Sequence, residues 1–427
     1  MYNPAIETMP LEHLRKLQNA RLLDMLRRQY QKVPFYRELF DSKGIRVQDI
    51  KGVEDLHSLP FTYKSDLRDN YPYGLFASPM EDIRRIHASS GTTGKPTVVG
   101  YTQHDLAIFD EVVARSLVCA GAKPGMKLHN AYGYGLFTGG LGMHGGATHL
   151  GMAVIPVSGG MTDRQLMILQ DFAPEVICCT PSYAQTLAEA CKESSIDTSK
   201  LALKYAILGA EPWTEAIRRQ VEEGLNVIAT NIYGLSEIIG PGVSQEDWEE
   251  RGSGSYIWED HFFPEVVDKD TGKPLPYGEE GVLVFTTLSK EAMPLLRYWT
   301  NDICSIHYDP LGKRSHIKMS AIKGRADDML IIRGVNLFYT QIEAIIQQFE
   351  FLVPHYLLVV SKKGHLDEVE VQVEVLPGTN PDDETLRAAL AHKIKNTIGL
   401  SMEVTLKSVG SIPKSEGGKL KRVLDTR

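Results

Sequence analysis

The sequence predicts an α/β protein with a large amino-terminal domain, in which mostly parallel sheets are flanked by helices, and a small α+β carboxyl-terminal domain. Three observations lead to this prediction. Short apolar segments alternate with helical segments of about ten residues through the middle of the chain, as in parallel βα units. Between residues 255 and 325 the pattern changes to strands and turns. The residues that follow have strands and helices of their own, which indicates a separate domain.

The first 75 residues are predicted to be a helical lead-in to the large domain. Leucine and methionine recur at helical spacing across residues 11–33, and arginine and glutamine occupy the opposite face. This periodicity predicts an amphipathic helix whose apolar stripe packs against the rest of the protein. Pro34 and Pro60 punctuate the shorter helices that follow.

Strands and helices begin to alternate near residue 84. Strands are predicted at 83–88, 97–102, 154–157, 176–179, 205–208 and 226–232. Helices are predicted at 103–120, 162–172, 181–193 and 213–224, with Thr162 as the cap of the second. Because ligands of parallel sheets bind beyond the carboxyl ends of the strands, a binding site is expected after 205–208 and after 226–232.

The remaining elements are predicted from alternation and from capping residues. Residues 282–287 alternate well enough to predict a strand, and residues 368–375 alternate strictly, as in a half-buried strand. The sequence Thr340-Gln-Ile-Glu343 predicts a capping box that opens a helix ending near Phe349. Other strands are predicted at 329–333, 353–361 and 403–409, and another helix at 382–398.

Composition and charge exclude several classes of protein. The 427 residues are 43% hydrophobic and 23% charged, which is typical of a globular protein. The formal net charge of −8 argues against a nucleic-acid surface, and no apolar run approaches the roughly 18 residues of a membrane span. The five cysteines include no Cys-x-x-Cys, and Cys178 and Cys179 have the pattern of buried strand residues. A reducing compartment is therefore expected, and without a recognisable signal peptide the predicted location is cytoplasmic.

The segment Ser89-Ser-Gly-Thr-Thr-Gly-Lys-Pro96 suits the binding of a polyphosphate. Its glycines let the backbone approach a ligand closely, its hydroxyls and amides donate hydrogen bonds, and Lys95 adds a positive charge. It is not a Walker A loop, because only two residues separate Gly91 from Gly94 and a strand follows instead of a helix. A simple hairpin turn is the alternative interpretation.

Four other segments contain side chains suited to a nucleotide. Tyr233-Gly-Leu-Ser-Glu237 offers an aromatic plane, a hydroxyl and a carboxylate able to hold Mg²⁺. Tyr298-Trp-Thr-Asn-Asp302 offers a carboxylate that could accept from both hydroxyls of a ribose. Gly324-Arg-Ala-Asp-Asp328 precedes the small domain, and Pro413-Lys-Ser-Glu-Gly-Gly-Lys-Leu-Lys-Arg422 is a basic loop within it. Each segment alone also has a simpler interpretation as a turn or a solvated charged stretch.

Together, in this order, the five segments resemble the motifs of the adenylate-forming superfamily of acyl-CoA synthetases. Ser90–Pro96 matches the adenylation loop Ser-Gly-Thr-Thr-Gly-x-Pro, and 413–422 match the catalytic-lysine pattern Pro-Lys-(Ser/Thr)-x-x-Gly-Lys-x-x-Arg at every fixed position. The three segments between them match Tyr-Gly-x-(Thr/Ser)-Glu, Tyr-x-Thr-x-Asp and Gly-Arg-x-Asp-Asp. Within the superfamily the chain resembles the phenylacetate-CoA ligases over nearly its whole length, in segments that begin at Pro34, Leu59, His87, Tyr132, Gly209, Ile257 and Asp328.

The resemblance implies a two-step ligase with a mobile lid. Residues 1–326 would form the adenylation domain, and 327–427 a lid domain that rotates about a hinge at Asp327. The implied reaction consumes ATP with Mg²⁺ and a small, phenylacetate-like carboxylic acid, and passes the acyl group through an acyl-adenylate to CoA, with release of pyrophosphate and AMP. A homodimer is the family expectation, and neither nucleic acid nor a membrane is an expected partner.

The resemblance also implies a role for individual residues. Lys419 is implied as the catalytic lysine, with Lys421 as a second candidate, and Glu237 as the Mg²⁺ ligand. The implied nucleotide-binding residues are Ser90, Gly91, Thr92, Thr93, Gly94, Lys95, Gly209, Ala210, Glu211, Tyr233, Gly234, Ser236, Asp302 and Arg325. The acid is expected beside Tyr132, Tyr134, Phe137, Gly139 and Gly140, although core packing would also explain these aromatic residues.

Two departures from the family and a pair of histidines bear on these roles. Trp299 stands where the relatives usually have arginine, so contacts near the ribose are expected to differ. Some relatives have a Cys/His zinc site in the 250–315 region; here Ser253 and Tyr256 supply no cysteine, and no zinc is expected. His144 and His149 could pair as metal ligands, but the sequence offers no further ligands nearby.

Two other functions are compatible with the same motifs. In one, the enzyme adenylates an acid but passes the acyl or AMP group to a carrier protein or a coenzyme instead of CoA. In the other, the protein binds nucleotides without catalysing a reaction. The presence of Lys419, Glu237 and Asp302 together argues against the second.

Overall fold

The computed structural model describes residues 1–89, 96–326, 330–332, 335–337, 339–363, 366–412 and 422–426. The chain divides into two compact units, Met1–Ala321 and Ile322–Arg427. None of the helices within the described ranges combines the length and the apolar character that a bilayer crossing needs. The predicted boundary after residue 326 and the hinge at Asp327 stay predictions, because Asp327 lies outside the described residues.

The helices of the first unit largely follow the predicted order. Leu14, Leu22 and Met25 form the buried stripe of the long helix predicted at 11–33. Within the described residues, the α-helices are α1 (Pro4–Glu7), α2 (Leu11–Lys32), α3 (Pro34–Ser42), α4 (Lys64–Asp69), α5 (Gln103–Cys119), α6 (Thr138–Leu150), α7 (Thr162–Asp171), α8 (Pro181–Glu193) and α9 (Glu215–Leu225).

Two helix starts differ from the prediction. Helix α7 is preceded by Met161 in the left-handed conformation (φ 51°), so Thr162 is its first helical residue and not its cap. Helix α9 begins at Glu215 and not at 213, because the Thr214 hydroxyl accepts a hydrogen bond from the amide of Ile217 and caps the helix there.

The strands of the first unit belong mainly to one large sheet. Those in the described residues are β1 (Arg85–Ser89), β2 (Thr97–Tyr101), β3 (Lys127–Asn130), β4 (Ala153–Ile155), β5 (Val176–Cys179), β6 (Tyr205–Gly209), β7 (Ile228–Leu235), β8 (Gly240–Glu246), β9 (Ser255–Ile257), β10 (Phe262–Val267), β11 (Gly281–Thr287), β12 (Tyr298–Cys304), β13 (Ile306–His307) and β14 (Lys318–Met319). Nine of them form a sheet in the order β13-β14-β9-β8-β7-β6-β5-β3-β4.

Parallel pairing is confined to the strands from β4 to β7 in this sheet. Neighbouring strands pair in parallel among β4, β3, β5, β6 and β7. From β7 onward, β8, β9, β14 and β13 each pair antiparallel with the strand before them in the sheet. Only a tight turn joins β7 to β8, which is too short for the crossover that a parallel pair requires. Strands β10, β11 and β12 also pair antiparallel. The predicted mostly parallel character therefore holds for the part of the sheet that alternates with helices.

Strands β1 and β2 pair antiparallel, from Arg85 opposite Tyr101 to Ser89 opposite Thr97. The predicted polyphosphate loop connects these two strands. Its residues 90–95 lie outside the described residues. Both strands were predicted, and β2 leads through Thr102 into α5, whose capping box is formed by Thr102 and Asp105.

Helix α6 is the main element that the sequence did not predict, together with β3. Five glycines occur in its thirteen residues, against the helical propensity of glycine. A Cβ atom on Gly142 would lie 2.3 Å from the Phe109 ring, and one on Gly146 would lie 2.3 Å from Val113, both on α5. The glycines therefore allow α6 to lie closer to α5 than alanine would permit.

All five cysteines lie within the described residues, and all are buried and free. Cys178 and Cys179 lie on β5 between two neighbouring parallel strands, as predicted. Burial raises the pKa of each cysteine thiol above its ordinary value. The thiols are therefore protonated and shielded at neutral pH.

The second unit has a core of its own between a sheet and two helices. Its described elements are β15 (Gly324–Arg325), β16 (Leu330–Ile332), β17 (Val335–Leu337), α10 (Tyr339–Ile346), β18 (Leu352–Lys363), β19 (Leu366–Val375), α11 (Glu384–Ile398), β20 (Glu403–Lys407) and β21 (Val423–Asp425). The sheet order is β20-β19-β18-β21.

Three details of the second unit compare with the sequence prediction. Val369, Val371 and Val373 are buried on one face of β19, as the strict alternation predicts. Helix α10 already includes Tyr339, so Thr340 is not its cap as predicted. Strand β21 was not predicted. It forms by pairing in parallel with β18, and the local sequence does not indicate this distant partner.

Candidate active site

The carboxyl ends of β6 and β7 lie side by side, and two of the predicted motifs begin there. Gly209 pairs with Ile232 across the two strands, and Tyr233 is the next residue. A Cβ atom on Gly209 would lie 2.2 Å from the main-chain oxygen of Ile232, so a larger residue would push the strands apart. The strand arrangement on which the predicted binding edge depends is therefore present.

Ala210 and Glu211 form the turn after β6. Ala210 has a left-handed backbone (φ 70°), which is uncommon for a residue with a side chain and costs roughly 1 kcal/mol or more. The Glu211 carboxylate accepts hydrogen bonds from the hydroxyl of Ser182 at 2.9 Å and from its amide at 3.2 Å. These contacts fix the turn against the start of α8.

Tyr233 and Asp302 come together from two different sheets. The Tyr233 hydroxyl, at the end of β7, donates a hydrogen bond of 2.6 Å to the Asp302 carboxylate on β12. The Tyr233 ring stacks on the ring of Phe285, with 6.4 Å between centroids and 29° between the ring planes. The amide of Asp302 donates to the Thr300 hydroxyl at 3.0 Å. An aromatic plane and a carboxylate, which the sequence assigned to base and ribose, are thus neighbours.

The turn from Ser236 to Ile239 joins β7 to β8 and presents Ser236 and Glu237. The hydroxyl of Ser236 lies 3.0 Å from that of Thr138 at the start of α6. The hydroxyl of Tyr101 on β2 donates to the main-chain oxygen of Ile239 at 2.8 Å. Gly234 is needed at the base of this turn, because a Cβ atom there would lie 1.9 Å from the oxygen of Gly240.

Two lysines flank Glu237, and the sequence motifs indicated neither of them. Lys64 on α4 lies 3.7 Å from the carboxylate of Glu237, a residue that is only 6% exposed. Lys290, after β11, donates a hydrogen bond of 3.2 Å to the main-chain oxygen of Glu237. Lys290 is 4% exposed, and burial lowers its pKa to about 8. The sequence gives no sign that these two lysines lie beside Glu237, because each contact joins residues that are far apart in the chain.

The residues expected to contact the acid lie around the end of β3 and the start of α6. The amide of Asn130 donates to the Tyr134 hydroxyl at 2.7 Å and to the main-chain oxygen of Gly140 at 2.8 Å. Burial raises the pKa of Tyr134 to about 12, so its hydroxyl stays protonated at neutral pH. The buried amide of Asn130 therefore connects two of the predicted pocket residues.

The other three residues of the predicted acid pocket differ in exposure. Tyr132 is buried, and a Cβ atom on Gly139 would make an ordinary contact with it at 3.6 Å. Phe137 is 53% exposed, so core packing does not explain its position. The alternative explanation by core packing therefore fits Tyr132 better than Phe137.

The two histidines considered as metal ligands have separate partners. His144 Nδ1 lies 3.1 Å from the Tyr134 hydroxyl, and His149 Nε2 lies 2.8 Å from the hydroxyl of Tyr2. Within the part of the chain that the structure describes, no group of three or more His, Cys, Asp or Glu side chains is arranged to hold a metal ion. The expectation that zinc is absent stays a prediction.

Comparison with known proteins identifies the family. Residues 35–289 match the model of the AMP-binding enzymes, and residues 334–427 match the model of the AMP-binding enzyme C-terminal domain. A phenylacetate-coenzyme A ligase of Thermus thermophilus is 60% identical, with full coverage of both chains. The phenylacetate-coenzyme A ligase of Escherichia coli is 49% identical over 99% of this chain and 97% of its own.

The chain belongs to the phenylacetate-coenzyme A ligase family of AMP-binding enzymes. The predicted family is therefore confirmed. A crystal structure of 2-hydroxyisobutyryl-CoA ligase in the postadenylation state, in complex with R3-HIB-AMP, matches this chain with a TM-score of 0.91 and 26% identity. The match covers 99% of this chain and 92% of that one. The predicted α/β fold class, with a large AMP-binding domain and a separate carboxyl-terminal domain, is confirmed as well.

Trp299 packs against aromatic side chains of the lead-in segment. Its ring contacts Phe61 edge-on at 5.0 Å and Tyr63 at 5.9 Å, and its Nε1 donates to the Asn301 side chain at 2.8 Å. A cavity of about 510 Å³ adjoins these residues and also contacts Lys64. This side of the cavity is aromatic, and the expected difference in contacts near the ribose stays a prediction.

The other predicted site residues belong to segments apart from these groups. Ser90, Gly91, Thr92, Thr93, Gly94, Lys95, Asp327 and Lys419 lie outside the described residues, as does Lys421. Arg325 lies on β15 in the second unit. Their predicted roles stay predictions.

Proposed function

We propose that the protein is an AMP-forming ligase that joins phenylacetate, or a closely related aryl acid, to CoA through an acyl-adenylate. The observation that most favours this function is the hydrogen bond of 2.6 Å between Tyr233 and Asp302, beside the turn that presents Ser236 and Glu237. These neighbouring groups would suit a base, a ribose and a phosphate chain. The full-length similarity to ligases named for phenylacetate favours the aryl acid as substrate.

The proposed adenosine site uses the edge formed by β6, β7 and β12. The ring of Tyr233 and the turn at Gly209, Ala210 and Glu211 would enclose the adenine. The Asp302 carboxylate would accept hydrogen bonds from the ribose hydroxyls, and Arg325 is proposed as a further ribose contact. A carboxylate is suited to this role because it accepts two strong hydrogen bonds from neighbouring hydroxyls.

Glu237 is the proposed ligand of the Mg²⁺ that accompanies ATP. Lys64 lies 3.7 Å from the Glu237 carboxylate, beyond hydrogen-bonding distance, and carboxylate oxygens are ligands that a hard cation such as Mg²⁺ prefers. When bound, Mg²⁺ would neutralise part of the negative charge on the phosphates. Gly234 lets the main chain pass close to Gly240, and this tight turn would orient Glu237. The Ser236 hydroxyl would donate a hydrogen bond to the α-phosphate.

The first proposed step is attack of the substrate carboxylate on the α-phosphorus of ATP, with pyrophosphate as the leaving group. The protein's contribution is to align the reactants and to neutralise charge. Ser90, Thr92, Thr93 and Lys95, with the amides of Gly91 and Gly94, would hold the β- and γ-phosphates. Lys419 would contact both the attacking carboxylate and the α-phosphate.

The second proposed step is attack of the CoA thiol on the acyl carbon, with AMP as the leaving group. Rotation about Asp327 would withdraw Lys419 and admit the thiol, as lid motions at a short connection permit. Tyr132, Tyr134, Phe137, Gly139 and Gly140 would surround the aryl group during both steps. The protonated Tyr134 hydroxyl and the ring of Phe137 would give this pocket one polar and one apolar wall.

A panel of acids tests the proposed function. The purified protein is incubated with ATP, MgCl₂ and CoA, and with phenylacetate, benzoate, 2-hydroxyisobutyrate or malonate. We expect AMP and a CoA thioester in equal amounts, with phenylacetate the best acid, as measured by chromatography and mass spectrometry. Pyrophosphate release without any CoA thioester would instead favour transfer to a carrier protein or a coenzyme, and no reaction with any acid would contradict catalysis.

Replacing Tyr233 by phenylalanine should weaken ATP binding with little effect on chemistry. The change removes the hydrogen bond that orients Asp302, and a hydrogen bond to a charged group contributes about 1.5 kcal/mol or more, which corresponds to roughly tenfold in affinity. We expect the KM for ATP to rise about tenfold and kcat to change less than about threefold. Steady-state kinetics with ATP as the varied substrate measure both.

A second tyrosine–aspartate pair provides the matched control. Tyr30 donates to Asp41 at 3.0 Å on the exposed face of the lead-in helices. Tyr30→Phe removes the same kind of hydrogen bond, and we expect the KM for ATP to stay unchanged. Equal effects of the two substitutions would contradict the specific role of Tyr233.

A further inference from the structure

We propose that Lys290 is a positioning residue for the metal–nucleotide site, because it fixes the main chain at Glu237. This inference rests on the proposed function, in which Glu237 binds Mg²⁺. Lys290 donates a hydrogen bond of 3.2 Å to the oxygen of Glu237, across 53 residues of sequence. Lys290 is only 4% exposed, so it would act through Glu237 and not by contact with the nucleotide.

The segment that contains Lys290 is itself held firmly against α5. The buried Asp105 carboxylate accepts hydrogen bonds from the amides of Glu291 at 2.7 Å and Ala292 at 2.9 Å. It also accepts from the amide of Thr102, as part of the capping box of α5. The main chain next to Lys290 is therefore fixed by a carboxylate that three amides share, and the lysine side chain starts from a rigid base.

The turn that Lys290 contacts is held at two points by neighbouring side chains. Lys290 holds the oxygen of Glu237, and the Tyr101 hydroxyl holds the oxygen of Ile239 at 2.8 Å. The two side chains also contact each other, since the Lys290 ammonium lies 5.0 Å from the centroid of the Tyr101 ring, within the range of a cation–π interaction. The carbonyls at both ends of the stretch from Glu237 to Ile239 are thus fixed.

The cost of burying a lysine indicates that this position has a specific use. A buried ammonium loses its hydration, and an apolar residue of similar size would avoid that loss. Here the charge is offset by two carboxylates, those of Asp105 and Glu237, which interact with it electrostatically. A rigid main chain keeps the Glu237 carboxylate directed to one place, and a preorganised ligand binds a metal more tightly than a mobile one.

The test compares Lys290→Met with the natural protein in its dependence on Mg²⁺. Methionine keeps the length and apolar character of the side chain but removes the donor and the charge. We expect the Mg²⁺ concentration for half-maximal AMP formation to rise about tenfold, because removing a residue that holds a metal ligand in place usually weakens metal binding by about that much. We expect kcat at saturating Mg²⁺ to fall less than about threefold. Lys290→Gln keeps an N–H donor without the charge, and we expect a smaller shift.

Lys318 provides the matched control for a buried lysine. It is fully buried on β14, where its ammonium contacts Glu250 at 2.8 Å and Asp309 at 2.9 Å. We expect Lys318→Met to lower stability without a shift in the Mg²⁺ dependence. An unchanged Mg²⁺ dependence in Lys290→Met, or an equal shift in Lys318→Met, would overturn the proposal.

Glu237→Gln separates this inference from the proposed function. If Glu237→Gln leaves the Mg²⁺ dependence unchanged, the proposed metal ligand is wrong, and the proposal for Lys290 fails with it. If Glu237→Gln raises the Mg²⁺ requirement and Lys290→Met does not, only the proposal for Lys290 fails. Should Lys290→Met not fold, Lys290→Leu decides the question, since it also lacks the donor and an unchanged Mg²⁺ dependence in that variant also overturns the proposal.

Discussion

Lys419→Ala is expected to slow acyl-adenylate formation by about 100- to 1,000-fold, the usual effect of removing one group that stabilises charge in a transition state. Attack of a carboxylate on a phosphate brings two negative groups together. An ammonium group between them lowers the barrier to this first step, whereas the thiol attack that follows does not need it. Pyrophosphate release in single-turnover experiments measures the first step.

The second half-reaction distinguishes a catalytic role of Lys419 from a structural one. With chemically prepared phenylacetyl-adenylate and CoA, Lys419→Ala should form the thioester within about threefold of the natural rate, because only the adenylation step depends on the lysine charge. Lys421→Ala is the matched control in the same basic stretch of sequence, and it should adenylate at close to the natural rate. Equal loss of both half-reactions in Lys419→Ala would contradict the assigned role.

Gly146→Ala is expected to lower the free energy of unfolding by about 1–3 kcal/mol, the usual cost of overpacking a core. Its Cβ atom would lie 2.3 Å from Cγ1 and 2.4 Å from Cβ of Val113 on α5, well inside van der Waals contact. Val113 is fully buried, so neither helix can move away without disturbing the core. Denaturation by guanidinium chloride, followed by circular dichroism, measures the change.

Gly139→Ala is the control: it makes the same glycine-to-alanine substitution in α6, at a position where the new Cβ atom has no steric clash. The new Cβ atom would lie 3.6 Å from the nearest atom, in the side chain of Tyr132. Alanine favours a helix over glycine by about 1 kcal/mol, so this variant should be as stable as the natural protein or more so. If Gly146→Ala were equally stable, close packing would not be the reason for the glycines of α6.

The local pattern of hydrophobic residues was enough to predict most elements of the first unit. Strand β5 and helix α8 have the predicted bounds because each is a short segment with one strong pattern and clear flanking residues. Helix α6 was missed because its glycines have poor helical propensity, and their use becomes clear only beside α5. The spacing of Gly139, Gly142 and Gly146 by three and four residues was the available signal.

The candidate site could be predicted as far as its residues belong to contiguous motifs. Tyr233 and Asp302 were assigned to one nucleotide from separate motifs, and the structure brings them within hydrogen-bonding distance. Lys64 and Lys290 could not be found in this way. Each contacts Glu237 through the tertiary fold, and a single lysine between ordinary residues has no local pattern that distinguishes it from a solvated one.

The burial of the cysteines decides how CoA consumption can be measured with this protein. Cys119, Cys178, Cys179, Cys191 and Cys304 are all free, and none is exposed. A thiol reagent such as 5,5′-dithiobis(2-nitrobenzoic acid) attacks accessible thiolates, which CoA provides and the folded protein does not. The colour yield in a continuous assay then reports the free CoA alone, and a slow rise in reactive thiol above that value would signal unfolding of the protein.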